Sequence, residues 1–230
     1  MSKLAILQPS YIPWIGYFEQ IVNVDIFVFY DDVQYTKNDW RNRNKIKTLD
    51  GSSWLSIPIK SSTSKKINEV LIDDTKNWQT KHLKSLKQYY SKSKYFEDIY
   101  PLLEKNINSD INSISTLSID IIKDIVKYLK IDTKFYLSSD LDIGGDKNNR
   151  LINICKHFNA SSYYTGLAAK DYIDEELFKK NNIELVYQEY KHPSYEQLHG
   201  DFLPYLSIID LLFNHGRDSK KIITKESLDV

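Results

Sequence analysis

The opening of the chain reads as strand, helix, strand, and that pattern narrows the fold more than any other feature. Leu4-Ala5-Ile6-Leu7 is a short apolar run that stops at Gln8-Pro9-Ser10, as a buried strand would. Pro9 and Pro13 hold the following stretch in a loop. Trp14, Tyr17, Phe18 and Ile21 then recur at i, i+3, i+4 and i+7, the spacing of a helix with one apolar face. A second apolar run, Asp25 to Tyr30, ends in Asp31-Asp32. Two strands joined through a helix must run parallel, with a right-handed crossover.

The same alternation returns near the other end. Thr133 to Leu137 reads as a strand and Arg150 to Phe158 as a helix. Ser162 to Thr165 reads as a strand ending at Gly166, Glu175 to Lys180 as a helix, and Glu184 to Tyr190 as a strand. Ser207 is placed to cap a final apolar helix, with Asp210 where a capping box carries its acid and Gly216 as the stop. Between the two ends, Trp54 to Ile59 and Glu69 to Ile72 read as strands, separated by a polar turn at Lys60 to Lys66. Thr75 to Tyr90, Tyr95 to Asn106 and Ser113 to Leu129 read as helices. The expected fold is α/β: a mostly parallel, Rossmann-like sheet flanked by helices. It would form a single domain over residues 1–230, with a helical insertion at about 75–130.

Composition excludes several classes. The chain has 230 residues, 41% hydrophobic and 27% charged, which suits a globular protein rather than a disordered one. Its 31 basic residues balance 31 acidic ones, which disfavours a general nucleic-acid binder. Cys155 is the lone cysteine, so no internal disulfide forms. Met1-Ser2-Lys3 leads into a strand rather than a signal peptide, and no apolar run reaches membrane-spanning length; a cytoplasmic location is expected.

Beyond the carboxyl ends of parallel strands lie the loops where ligands bind. The densest polar cluster follows the second strand: Asp39-Trp40-Arg41-Asn42-Arg43-Asn44-Lys45. From Lys37 to Lys47 there are five cations (Lys37, Arg41, Arg43, Lys45, Lys47) against Asp39 alone. Half of the chain's four arginines fall here, and guanidinium forks suit phosphate where a merely solvated turn would use lysine as readily. Asp31-Asp32 could hold a metal or act in acid–base chemistry, or simply cap and pair with Arg41 or Arg43. Tyr11 and Trp14, in a loop, could stack on a base or sugar. His82 shares a helix face with Trp78 and could serve as a base, or lie at the surface. Cys155 falls with Leu151, Ile154 and Phe158 on one helix face and reads as a small core residue. His192 and His199 bracket a Pro- and Gly-bounded loop. Zinc spacings, GxSxG, the P-loop and GxGxxG are missing, which disfavours zinc and the chemistries those motifs carry, and no metal ligand is assigned.

Several blocks together resemble the WbqC-like family. They are Gln8 to Phe18, Asp31-Asp32-Val33-Gln34-Tyr35, Trp40 to Ile46, Trp78 with His82, Tyr164-Thr165-Gly166, His192 to Gln197, and Ser207 to Asn214. The resemblance implies a cytoplasmic enzyme of bacterial surface-polysaccharide (O-antigen) biosynthesis. It would transfer an acyl or aminoacyl group to the amine of a nucleotide-linked amino sugar. The donor would be a phosphopantetheine thioester on an acyl or peptidyl carrier protein, with no tightly bound cofactor, no nucleic acid and no membrane span.

Positions shared by a family block and a strand-end loop are the candidates. Asp31, Asp32 and His82 are the acid–base set. Gln8, Tyr11, Trp14, Tyr17, Trp40, Asn42, Arg43, Asn44, Lys45, Gly166, Tyr195 and Gln197 form the substrate-binding set. Two other functions fit the same residues. One is a nucleotidyl transferase or adenylate-forming enzyme, although Pro13-Trp14-Ile15-Gly16-Tyr17 is at best an aromatic analogue of its HxGH-type motif. The other is a non-catalytic protein that docks pathway partners.

Overall fold

A computed structural model of the chain describes residues 2–37 and 39–225; Met1 of the opening segment lies outside the described residues. In chain order its strands and α-helices are β1 (Ser2–Leu7), α1 (Ile15–Val22), β2 (Ile26–Phe29), β3 (Arg43–Thr48), β4 (Gly51–Ser56), α2 (Trp78–Tyr90), α3 (Phe96–Ile107), α4 (Ile114–Tyr128), β5 (Lys134–Leu137), α5 (Lys147–His157), β6 (Ala160–Gly166), α6 (Glu175–Lys180), β7 (Glu184–Gln188), α7 (Ile208–His215) and α8 (Ser219–Thr224). Over the described residues these fall into two compact units, each assembled from three stretches of chain. The first unit takes Met1–Gln8, Glu19–Asp32 and Asp132–Lys191, and the second takes Pro9–Phe18, Val33–Ile131 and His192–Val230.

The first unit holds the expected parallel sheet. Its five strands run β5-β2-β1-β6-β7, and every neighbouring pair is parallel. A central parallel strand is covered on both faces, so its sequence is continuously apolar rather than alternating. β1 fits: Leu4, Ala5 and Ile6 are all buried. Leu4, Ile6, Ile26, Val28 and Tyr163 pack with Leu151, Ile152, Ile154 and Cys155 of α5 and Phe178 of α6. Cys155 is core, as its helical spacing suggested, and burial pushes its thiol up to about 12, far from a reactive thiolate. Both helices begin on an acid: Asp146 accepts from the Asn149 amide and Asp174 from the Leu177 amide, each at 3.0 Å.

The second unit pairs β3 and β4 as an antiparallel hairpin, in register from Arg43↔Ser56 to Thr48↔Gly51. The helices α2, α3 and α4 follow it in the chain, and α7 and α8 complete the unit. Ser113 caps α4 by accepting from the Thr116 amide. Gly216 ends α7 at φ 54°, and the Tyr95 ring fills the space a Cβ would need there.

Local expectations needed correction in this unit. Residues 43–48, expected in a polar loop, are a strand. The strand expected at Trp54 to Ile59 lies earlier, at Gly51–Ser56. Glu69 to Ile72 is not a strand. A single 3₁₀ turn, Ile67–Glu69, is followed only by isolated bridges from Leu71 to Ser113 and from Ile72 to Ile59. The Asp210 carboxylate does not close a capping box either. It accepts from the Tyr90 and Tyr195 hydroxyls at 2.8 and 2.9 Å, which leaves the Ser207 hydroxyl to cap the Ile209 amide alone. Among the described residues, no helix is long and apolar enough to cross a membrane.

Candidate functional site

Strand alternation sorts the Trp40-to-Lys45 block into two jobs. Residues i and i+2 of a strand share a face, so Arg43 and Lys45 lie together and Asn44 lies opposite them. Register sets Lys45 directly across from Trp54. The Arg43 guanidinium carbon stands 4.5 Å from the centre of the Trp54 ring, and the Lys45 ammonium 5.0 Å. Trp40 leans on the same indole at 5.4 Å. Asn44 is buried and does structural work: its amide donates to the Ile12 carbonyl at 2.9 Å and its own oxygen accepts from the Lys45 amide at 2.8 Å. Arg41 is also turned inward, donating to the Ser10 hydroxyl at 2.6 Å and pairing with Asp39 at 3.5 Å.

A pocket of about 330 Å³ opens in the second unit, lined by Tyr35, Lys37, Asn42, Ile59, Lys60, Ser61, Ser62 and Thr63. That volume lies near the lower end of the range, about 300–1,000 Å³, that takes small ligands. Two ammonium groups, four hydroxyls and an amide line it, and no carboxylate appears among the described lining residues. Such a wall favours an anion. Asn42 is fixed by donating to the Ile57 carbonyl at 2.8 Å. Burial, then the Asp39 charge, pushes the Tyr35 hydroxyl's pKa up, with Arg41 and Arg43 pulling the other way. The charges of both arginines are therefore felt at the pocket wall.

Other candidates in this unit are buried or partly buried. Tyr11 is fully buried, and its hydroxyl meets Nδ1 of His82 at 2.9 Å. His82 Nε2 lies 3.2 Å from the Ser56 carbonyl. A carbonyl only accepts, so Nε2 carries the proton and Nδ1 accepts from Tyr11. Burial pushes this imidazole down to about 4, so it is neutral at pH 7. Tyr17 is buried as well. Trp14 bridges to Ser207, and its ring fills the space beside Gly16. Tyr195 donates to Asp210, while Gln197 accepts from the buried Lys47 ammonium at 2.9 Å and from the Leu203 amide at 2.9 Å.

Gln8, Gly166, Asp31 and Asp32 belong to the first unit. Asp31 and Asp32 follow β2, and Ser138 and Ser139 follow the neighbouring β5, so adjacent strand ends bring the four together. Asp31 accepts from the Ser139 amide at 3.0 Å and its hydroxyl at 2.8 Å. Asp32 forms an ion pair with Arg150, and the Ser138 hydroxyl lies within hydrogen-bond distance of both carboxylates. Burial alone would raise the Asp32 carboxyl, but the Arg150 and Ser138 hydrogen bonds and the Arg150 charge outweigh it, and the net shift is downward. The partner of Asp32 is thus Arg150, not Arg41 or Arg43. Gly166 ends β6, with the amide of the buried Gln20 at ordinary van der Waals contact from where its Cβ would stand, 3.7 Å.

Comparison with known proteins agrees with the sequence blocks. Residues 8–222 match the WbqC-like protein family. The chain belongs to that family. An uncharacterized protein of Mycobacterium tuberculosis is 40% identical over 223 residues, covering 95% of this chain and 96% of its own. No solved structure gives a significant match.

Every candidate from Gln8 to Gln197 lies within the span matched to the WbqC-like family. Sequence reading missed part of the pocket wall. Lys60 to Thr63 was expected to be only a polar turn, although a Lys-Ser-Ser-Thr run offers the cation and hydroxyl donors an anion needs. Sequence marks Trp54 only as a strand residue, and nothing short of register puts it opposite Lys45.

Proposed function

We propose that this member of the WbqC-like family is an N-acyl or N-aminoacyl transferase of bacterial surface-glycan biosynthesis, acting on a nucleotide-linked amino sugar. The observation that carries the reading is the cationic, hydroxyl-lined pocket of the second unit. Lys37, Lys60 and the hydroxyls of Ser61, Ser62 and Thr63 would hold the diphosphate, with the Asn42 amide beside them. In the transfer, the sugar amine forms a C–N bond to the acyl carbon as the thioester C–S bond breaks. The proton lost by nitrogen ends on the departing pantetheine thiol, so the overall reaction needs no bound cofactor. Binding energy from the phosphates would serve to position the amine, an effect that can supply about 7–11 kcal/mol of a barrier.

Two measurements test this. Calorimetry should detect pyrophosphate binding, weakened about tenfold or more in Lys60→Ala, since removing one charged contact costs on the order of 1.5–3 kcal/mol. A folded protein that binds no pyrophosphate defeats the phosphate assignment. Incubation with acyl-loaded carrier protein and nucleotide amino sugars should give a sugar product heavier by the acyl group. Absence of product with every pair tried, from protein that does bind the nucleotide sugar, argues for a docking role instead.

A further inference from the structure

We infer that the Trp40–Trp54 pair, flanked by Arg43 and Lys45, is a stacking platform for the base of a nucleoside diphosphate. The inference rests on the pocket being a phosphate site, and it adds what that pocket cannot supply: recognition of the nucleoside. Trp78 is buried, whereas Trp40 and Trp54 leave 45% and 41% of their surface to solvent. Two large rings left exposed side by side forgo burial that would otherwise be favourable, a sign of an interaction surface. Their orientation is set rather than loose, because Arg43 and Lys45 lie over Trp54 from the facing strand.

The chemistry selects the occupant. A flat π-system fits against indoles, and every nucleobase has one. The same two cations, with the pocket lysines, favour an anionic group joined to that flat ring. Asn42, one residue from Arg43, lines the pocket, and the Arg43 charge is felt at Tyr35 on its wall. Platform and pocket are thus consecutive along one short segment. A single-stranded nucleic acid would stack similarly, but it needs a basic track for its backbone. The chain has zero net charge, and its second lysine-rich stretch, Lys76 to Lys94, brings no exposed indole to stack a base, since Trp78 is buried.

The competing role for the cluster is to brace the hairpin, and the test separates the two. Pyrophosphate and a panel of nucleoside diphosphates (UDP, CDP, dTDP, ADP, GDP) are titrated into wild type, Trp54→Ala and Trp54→Phe, with thermal unfolding measured on each. At least one nucleoside diphosphate should bind wild type tenfold or more tighter than pyrophosphate. Trp54→Ala should abolish that ratio while keeping pyrophosphate affinity within about twofold, and Trp54→Phe should keep most of it. The platform is refuted, with the pocket reading intact, if pyrophosphate binds as tightly as every nucleoside diphosphate. It is equally refuted if Trp54→Ala lowers only the unfolding temperature, or if that variant loses an acidic carrier protein but keeps the ratio. Should wild type bind neither pyrophosphate nor any nucleoside diphosphate, the phosphate reading falls and the platform with it.

Discussion

At the scale of single residues, His82 is the most constrained titratable group. Its ring is buried, Nε2 donates to the Ser56 carbonyl and Nδ1 accepts from Tyr11, so both nitrogens are satisfied only in the neutral form. Protonation would put a second N–H against the Tyr11 hydroxyl and leave a charge in the core. The folded-state pKa of about 4 lies below the ordinary 6.5. Stability from this group is therefore complete above about pH 6.5 and is lost as pH falls from there toward 4. The gap corresponds to something on the order of 3 kcal/mol. Urea unfolding of wild type at pH 7.5 and 4.5 should show this loss, and His82→Gln, less stable at pH 7.5, should show a smaller drop. Equal pH dependence in the two proteins would sink the assignment. Sequence flagged both Tyr11 and His82 but as ligand-facing groups. Their pairing, across 71 positions, exists only in the fold.

At the scale of elements, the β3–β4 hairpin shows why part of the fold was legible and part was not. β1, β2 and the central helices announce themselves because their buried positions are apolar and periodic. β3 reads Arg-Asn-Lys-Ile-Lys-Thr, and four of its positions, Asn44, Ile46, Lys47 and Thr48, are buried. Hydropathy alone assigns such a run to a loop, because three of the buried positions are polar. Asn44 and Lys47 are tolerable inside because each finds partners. The Lys47 ammonium donates to Gln197 at 2.9 Å and to the Gly200 and Asp201 carbonyls, and its backbone amide donates to the Tyr90 hydroxyl at 2.9 Å. One lysine therefore pins the 197–201 loop to the hairpin. Lys47→Met keeps the stem but removes the charged donor shared by Gln197, Gly200 and Asp201, leaving Gln197 only the Leu203 amide, at a cost of about 3 kcal/mol. In a chain this long that is a fall of about 6–12 °C in the thermal midpoint. An unchanged midpoint would mean water replaces the ammonium at no cost. Gly216→Ala meets a different obstacle, the Tyr95 ring together with a φ of 54°. It should lower stability by about 1–3 kcal/mol in the same assay, whereas Gly51→Ala, at φ 121° but with open space around it, meets the backbone strain without the ring.

At the scale of the whole molecule, each unit is assembled from stretches interleaved along the chain, so no single cut separates them. The charge distribution works on the same scale. The balance of 31 against 31 leaves no net field to draw in a polyanion, while the segment from Lys37 to Lys47 carries a local excess of +5 − 1 = +4. Screening decides what such an arrangement can bind. At physiological ionic strength charges act over roughly 8 Å, so a ligand feels only the cations it touches. A diphosphate seated by Lys37 and Lys60 gains their full attraction, whereas a long polyanion must bridge from there to the lysines of 76–94 and meets acidic residues such as Asp73 and Asp74 on the way. Raising sodium chloride from 50 to 300 mM should weaken pyrophosphate binding severalfold, because direct contacts are screened only in part. At 150 mM the protein should pass unretained through immobilised heparin and leave duplex DNA unshifted. Firm retention on heparin at that salt would mean cations outside the 37–63 region form a second surface, and the assignment of one small phosphorylated ligand would have to give way to a polyanion partner.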